Sequence, residues 1–222
     1  MHEAFLDSTI LWAFVGPSRF EHNHDVCVVI FEREDVRRYT SETVSYEVKQ
    51  SESRRARLYS ELIAHHVLKK KPEEFDTSLF SRHVAERARA LIRETRGNEA
   101  DIELLRELSQ MEAARIRTAR SRIEKPFVPA KKDPYLQDEM RLALSIELGD
   151  AKIVTDYVSW APAHTMAKFL TGDGRLLGAL RAGLAKFLVD RMISAPTVHD
   201  FLEPDRYLSS LPPFSSTSLR NR

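Results

Sequence analysis

A single cysteine, only seven glycines, a net charge of +1 and no apolar run of membrane-spanning length leave several protein classes out. With one thiol, Cys27, no intramolecular disulfide can form. Its place in the apolar run Val26-Cys-Val-Val-Ile-Phe31 predicts a buried, inert sulfur and a reducing, cytoplasmic setting. The apolar stretch from Ile10 to Val15 is too short to cross a bilayer and follows Glu3 and Asp7 in place of a basic region, so neither a signal peptide nor a membrane segment is expected. A net charge near zero gives no global sign of a nucleic-acid binder. What is present is 42% hydrophobic and 30% charged residues over 222 positions, enough for one sizeable α/β domain or a smaller one carrying a large insertion.

Charge is uneven along the chain. Between Ala113 and Lys132 stand Arg115, Arg117, Arg120, Arg122, Lys125, Lys131 and Lys132 against Glu124 alone, a local balance of 7 − 1 = +6. Arg115, Arg117, Arg120 and Arg122 would line one or two faces of a helix, suited to phosphate contacts that position RNA without reading its sequence. The bland alternative is a solvated helix surface.

Ala4-Phe-Leu-Asp7 reads as a strand ending in an acid, followed by a helix over Ile10 to Val15 that Ser8 could cap. Val26 to Phe31 fits either a buried helix or a strand, and Arg37 to Thr40 a short strand. Ser41 then opens a capped helix with Glu47 in its second turn. From Ser51 to Gly149 charged helical patterns dominate. They predict helices over Ser53–Lys71, stopped by Pro72, over Ser78–Arg96, over Asn98–Lys125, and from Asp133-Pro134 to Gly149. Strand character returns at Ala151–Val154 and at Lys168–Thr171, with a helix between them and another from Arg175 to about Asp190. The reading is a three-layer α/β/α domain with a mainly parallel sheet, built from residues 1–50 and 150–205. A helical insertion fills 51–149 and a flexible tail 206–222.

In such a sheet, acids at the carboxyl ends of strands can meet across the crevice where strand order reverses, although they are distant in sequence. An isolated acid at a loop end is more often solvated or capping a helix, so the combination matters more than any member. Phe5-Leu-Asp7-Ser-Thr9-Ile-Leu11 resembles the opening strand of the PIN-domain nucleases, and Thr40-Ser-Glu-Thr-Val-Ser-Tyr-Glu47 is similar to their second element. Asp156-Tyr-Val-Ser-Trp-Ala-Pro-Ala163, then Lys168-Phe-Leu-Thr171-Gly-Asp173, resembles the closing pair, and Ala195-Pro-Thr-Val-His-Asp-Phe201-Leu the last strand and its exit. The resemblance covers about the first 50 and last 70 residues. The chain departs from compact VapC-like toxins in the roughly hundred-residue stretch between Glu47 and Asp156.

The resemblance implies that Asp7, Glu47, Asp156 and Asp173 hold Mg²⁺ or Mn²⁺ and that Thr171 orients a carboxylate or water. The activity it implies is an endoribonuclease in which activated water attacks phosphorus with no protein nucleophile. It leaves room for a protein partner such as an antitoxin and for a homodimer. Asp150, in Gly149-Asp-Ala-Lys-Ile-Val154, is the rival for the third acid; the reading takes Asp156. The competing class is a non-catalytic interaction module that binds RNA or protein through the insertion. Leu6-Asp7-Ser-Thr9 and Gly172-Asp173-Gly174 also resemble phosphatases of the haloacid-dehalogenase type. Thr9 stands where their second acid belongs, and Arg175-Leu-Leu177 follows Gly174. His22, His24 and His65-His66 lack partners at zinc-site spacing and are expected on loops and helix surfaces, while Trp12 and Trp160 are expected in the core.

Overall fold

The computed structural model describes residues 1–17, 21–71, 74–76, 78, 80, 82–95, 97–164, 166–193 and 200–213. Four strands, β1 (His2–Leu6), β2 (Val36–Tyr39), β3 (Ala167–Leu170) and β4 (Phe201–Leu202), form one all-parallel sheet in the order β2-β1-β3-β4. The chain leaves β1 toward β2 on one side and later returns to β3 on the other. Strand order therefore reverses between β1 and β3, and the carboxyl ends of these strands are where an open parallel sheet places its crevice.

Register assigns the faces. Phe5 pairs with both Tyr39 and Phe169, so these three side chains share one face, while Arg38 alternates to the other. On the first face α7 (Leu148–Trp160) lays Tyr157 against Phe5 and Phe169, with ring centroids 5.3 and 5.2 Å apart. On the second lies α2 (His24–Glu32), where Arg38 donates from Nε to the Ile30 carbonyl at 3.1 Å and from Nη2 to the Arg33 carbonyl. Arg122 joins it by donating to the Phe31 carbonyl at 2.5 Å. Two guanidinium groups thus satisfy carbonyls at the negative end of α2. The result is a helix, sheet, helix sandwich, the layering expected for the α/β class.

Val26–Phe31, which suits helix or strand equally, is helix within α2, and Cys27 is fully buried there. Burial pushes its thiol up to about 12. Ala151–Val154, expected as a strand, is the middle of α7. Its apolar side chains are buried by a helix packed on the sheet, and a short β-branched run fits that environment as well as a strand. Gly149 does not end a helix but lies in the first turn of α7. The preceding α6 (Pro134–Leu144) stops instead at Ser145 in the left-handed region.

The helix begun at Ser41 does not end near residue 50. As α3 it runs from Glu42 to Val67, so the expected boundary at 50/51 falls inside one helix. With α4 (Arg82–Glu94) and α5 (Glu99–Arg122), α3 builds a second apolar cluster from Leu58, Leu62, Ala88, Leu91 and Leu105. The far end of α5, together with Met140 and Leu144 of α6, belongs to the main core. Asn98 and Asp101 form a reciprocal capping box that starts α5. His24, His65 and His66 are buried and not on the surface: the Nδ1 of His24 is 2.7 Å from the Ala13 carbonyl, and the Nε2 of His66 is 2.7 Å from the Thr95 hydroxyl.

A helical run follows β3, comprising α8 (Gly174–Ala179), a π-turn segment (Leu180–Leu184) and α9 (Ala185–Val189). Beyond β4, α10 (Pro204–Ser210) buries Tyr207, so the chain past residue 206 is in part a packed helix and not wholly a flexible tail. Ala195 to His199, most of the expected last-strand motif, and the Pro72 stop lie outside the described residues, as does the terminus from 214 onward. Among the described residues no helix is long and apolar enough to cross a membrane.

Candidate active site

Asp7 follows β1 directly and is the N-cap of α1 (Ser8–Val15), a role Ser8 was expected to fill. Only 2% exposed, it is held at both oxygens. Oδ1 accepts from the Ser8 amide at 2.6 Å, and Oδ2 accepts from the Thr9 and Thr171 hydroxyls, each at 2.8 Å. The two threonines also accept from the loop after β3: Gly172 N donates to Thr9 Oγ1 at 2.8 Å and Asp173 N to Thr171 Oγ1 at 3.0 Å. Loop β1–α1 and loop β3–α8 are thereby fastened together through one carboxylate. Thr171, expected from the resemblance to orient a carboxylate or water, donates to the Asp7 carboxylate, and Thr9 is an equal donor that the motifs did not single out.

Asp173 caps α8, its Oδ1 accepting from Arg175 N at 2.8 Å and Leu176 N at 3.1 Å. Among the described residues its Oδ2 accepts no hydrogen bond. Glu47 reaches the site from the second turn of α3 and is half-buried, its carboxylate favoured by the nearby Ser8 hydroxyl. A Cβ added at Gly149 would come within 3.2 Å of Glu47 Oε1, so the first turn of α7 sits against that carboxylate. The next residue is Asp150.

Asp150, and not Asp156, is the acid that α7 presents to this crevice. Its carboxyl is pushed up to about 7 by burial first, then by the negative charges of Asp7, Asp173 and Glu147. Glu47 is raised by burial and by Asp7, with Lys152 opposing. Asp7 is raised by burial against the four hydrogen bonds that favour its anion. Asp156 is engaged elsewhere: its Oδ2 accepts from Thr43 Oγ1 and its Oδ1 from the Lys131 amide, both at 2.6 Å. Six residues along an α-helix turn the side chain by about 240°, so Asp150 and Asp156 cannot face the same crevice. Of the two acids weighed for the third position, Asp150 is the one coupled to Asp7 and Asp173, and Asp156 is not.

Among the described residues, no three His, Cys, Asp or Glu side chains close on one point as a ready ion cage. The donor set nevertheless suits a hard cation, being all carboxylate oxygen. A Mg²⁺-type ion takes one or two carboxylates and keeps several waters, so it needs no closed protein cage. Burial and like charges raise Asp150 and Glu47, and a cation bound among them would oppose that rise.

No family model matches the chain, and no curated protein or solved structure matches it either. Three of the four arginines expected to meet RNA have partners within the fold. Arg115 donates to the Gly16 carbonyl at 2.9 Å, Arg120 pairs with Glu52 at 2.7 Å, and Arg122 caps α2. Arg117 is exposed and makes no such contact among the described residues. Helical periodicity places these side chains on faces but does not tell which face meets a neighbour's carbonyls.

Proposed function

We propose that the protein is a divalent-metal-dependent nuclease of PIN-like design that hydrolyses RNA phosphodiesters at the crevice between β1 and β3. One observation carries this reading. Carboxylates from four separate elements, Asp7, Glu47, Asp150 and Asp173, act on one another at the point where strand order reverses, and the buried Asp7 among them is oriented by two threonines. Such an arrangement is costly to the fold and is expected where a cation and a phosphate are to be handled.

Asp7, Asp150 and Asp173 would hold Mg²⁺ or Mn²⁺, with Glu47 ligating directly or through water. The bound ion supplies an acidified water and neutralises charge on the scissile phosphate and leaving oxygen. Thr9 and Thr171 fix Asp7 by donating to Oδ2 and favour its anion against the burial that raises its carboxyl. Where it ligates through water, Glu47 would take the proton that this water loses. Lys152 beside it limits how far its affinity for protons rises.

The test is cleavage of a labelled single-stranded RNA with Mn²⁺ or Mg²⁺. Cleavage should vanish with EDTA and in Asp7→Asn and Asp150→Asn variants whose circular dichroism matches the wild type. Thr171→Val should slow it by about 10–100-fold through loss of carboxylate orientation. Unchanged cleavage in Asp7→Asn and Asp150→Asn would refute the assignment.

A further inference from the structure

Beside the C-terminal half of α7 lies a cleft of about 470 Å³, bordered by Pro129, Lys131, Lys132, Asp156, Ser159 and Trp160. We infer that this cleft seats a single-stranded nucleic acid, holding nucleotides to one side of the phosphate bound at the carboxylate crevice. The assignment of the occupant as substrate rests on the nuclease reading; the binding itself does not.

The cleft is joined to the crevice by the seam between α3 and α7. At one end Gly149 meets Glu47, and at the other Asp156 meets Thr43, so the two helices run antiparallel with Asp150 and the cleft at opposite ends of their contact. Seven residues of α7 separate Gly149 at Glu47 from Asp156 at Thr43, close to two full turns and roughly 10 Å of helix rise along one face. Lys152, half-buried, lies along the way, and Tyr46, one residue before Glu47, is 64% exposed at the edge of the same seam.

The two cleft lysines are exposed but carried by a fixed loop. Lys131 N donates to Asp156, Lys131 O accepts from Gln137 Nε2 at 2.6 Å and from Asp133 N at 3.0 Å, and Ala130 N donates to Glu42 at 3.1 Å. Upstream, Val128 N donates to Thr40 O and Glu42 N to Val128 O, both at 2.9 Å, along the open edge of β2. A buried carboxylate and a strand edge are thus spent on presenting Lys131 and Lys132 in one place, and charges held in position bind a polyanion with less ordering cost than free ones. Tyr46, 64% exposed on the seam, offers a ring surface, while the Trp160 ring at the cleft is already stacked on His164 at 3.9 Å. Unpaired bases can stack on an exposed ring, whereas bases inside a duplex cannot reach it.

The experiment is fluorescence anisotropy of an end-labelled single-stranded RNA, titrated in EDTA so that no cleavage intervenes, at several salt concentrations. The double variant K131A/K132A should bind about tenfold more weakly, and its salt slope should fall by about 1.4, two contacts at about 0.7 each. Ser159→Glu, at an exposed helical position, should weaken binding in the same direction, and a duplex of the same sequence should bind less well than the single strand. Absent wild-type binding, equal affinities and slopes across the three proteins, or a preference for duplex would overturn the proposal. If the variants differ as expected but the wild type cuts nothing with metal, only the nuclease reading fails. If it cuts while the lysines make no difference to binding, only the cleft assignment fails.

Discussion

Asp150 couples stability to pH in an unusual direction. Its carboxyl titrates near 3.8 in an unfolded chain and at about 7 in the fold, so between those values the folded state binds more protons. The group therefore costs nothing below pH 3.8, and its penalty grows as pH rises, reaching full size above 7. Allowing for solvent screening, the penalty is on the order of 2 kcal/mol. Asp150→Asn should raise the melting temperature at pH 8 and flatten its decline between pH 4 and 8; a variant less stable than wild type at pH 8 would contradict the charge assignment. Asp156 predicts the opposite outcome. Asp156→Ala strands the Lys131 amide and the Thr43 hydroxyl, and should cost roughly 2–3 kcal/mol in urea unfolding. A loss within error of zero would show that the tether is dispensable.

Among the secondary elements, α7 shows what the amino-acid pattern can and cannot reveal. Asp7 and Asp173 are legible because each closes an apolar strand, and a strand has only one end facing the crevice. The acids of α7 are not, because Asp150 and Asp156 both neighbour apolar residues, and only the docking of Tyr157 onto Phe5 and Phe169 decides which way each points. Ala151–Val154 was open to misreading for the same reason: a short apolar β-branched run is buried equally well by strand or helix. The stripe Arg115 to Arg122 was legible as charge but not as caps, since its partners, the carbonyls of Gly16 and Phe31, are distant in sequence. In α3 and α5 the pattern failed differently, hiding a buried ionic knot. Arg55, Arg87, Tyr59 and Glu112 meet there, with Tyr59 donating to Glu112 at 2.9 Å and Arg55 reaching Glu21 at 2.9 Å. Charged helical positions read as solvent-facing until their neighbours are known. Glu112→Ala should destabilise by about 3–5 kcal/mol, because it leaves guanidinium charge buried with one partner fewer. Thermal unfolding that shifts by less than a few degrees would contradict that reading.

For the molecule as a whole, the layered sheet and the helical arm share helices: α3 begins at the crevice with Glu47 and ends in the second core at Leu62, and α5 returns from that core to cap α2. The site is thus set by the ends of β1 and β3, by α7, and by α3, which also builds the arm. Overall class and the sheet's two contributing ends could be read in advance, whereas the boundary of the arm could not, since a continuous helix carries no composition break at its crossing point. The decisive measurement is Mn²⁺ titration by calorimetry of wild type, Asp150→Asn and Asp156→Asn at pH 8. Binding by wild type and by Asp156→Asn, with loss in Asp150→Asn, is the predicted result. Retention of wild-type affinity in Asp150→Asn, or no binding by the wild type, would contradict a metal site at the β1–β3 crevice.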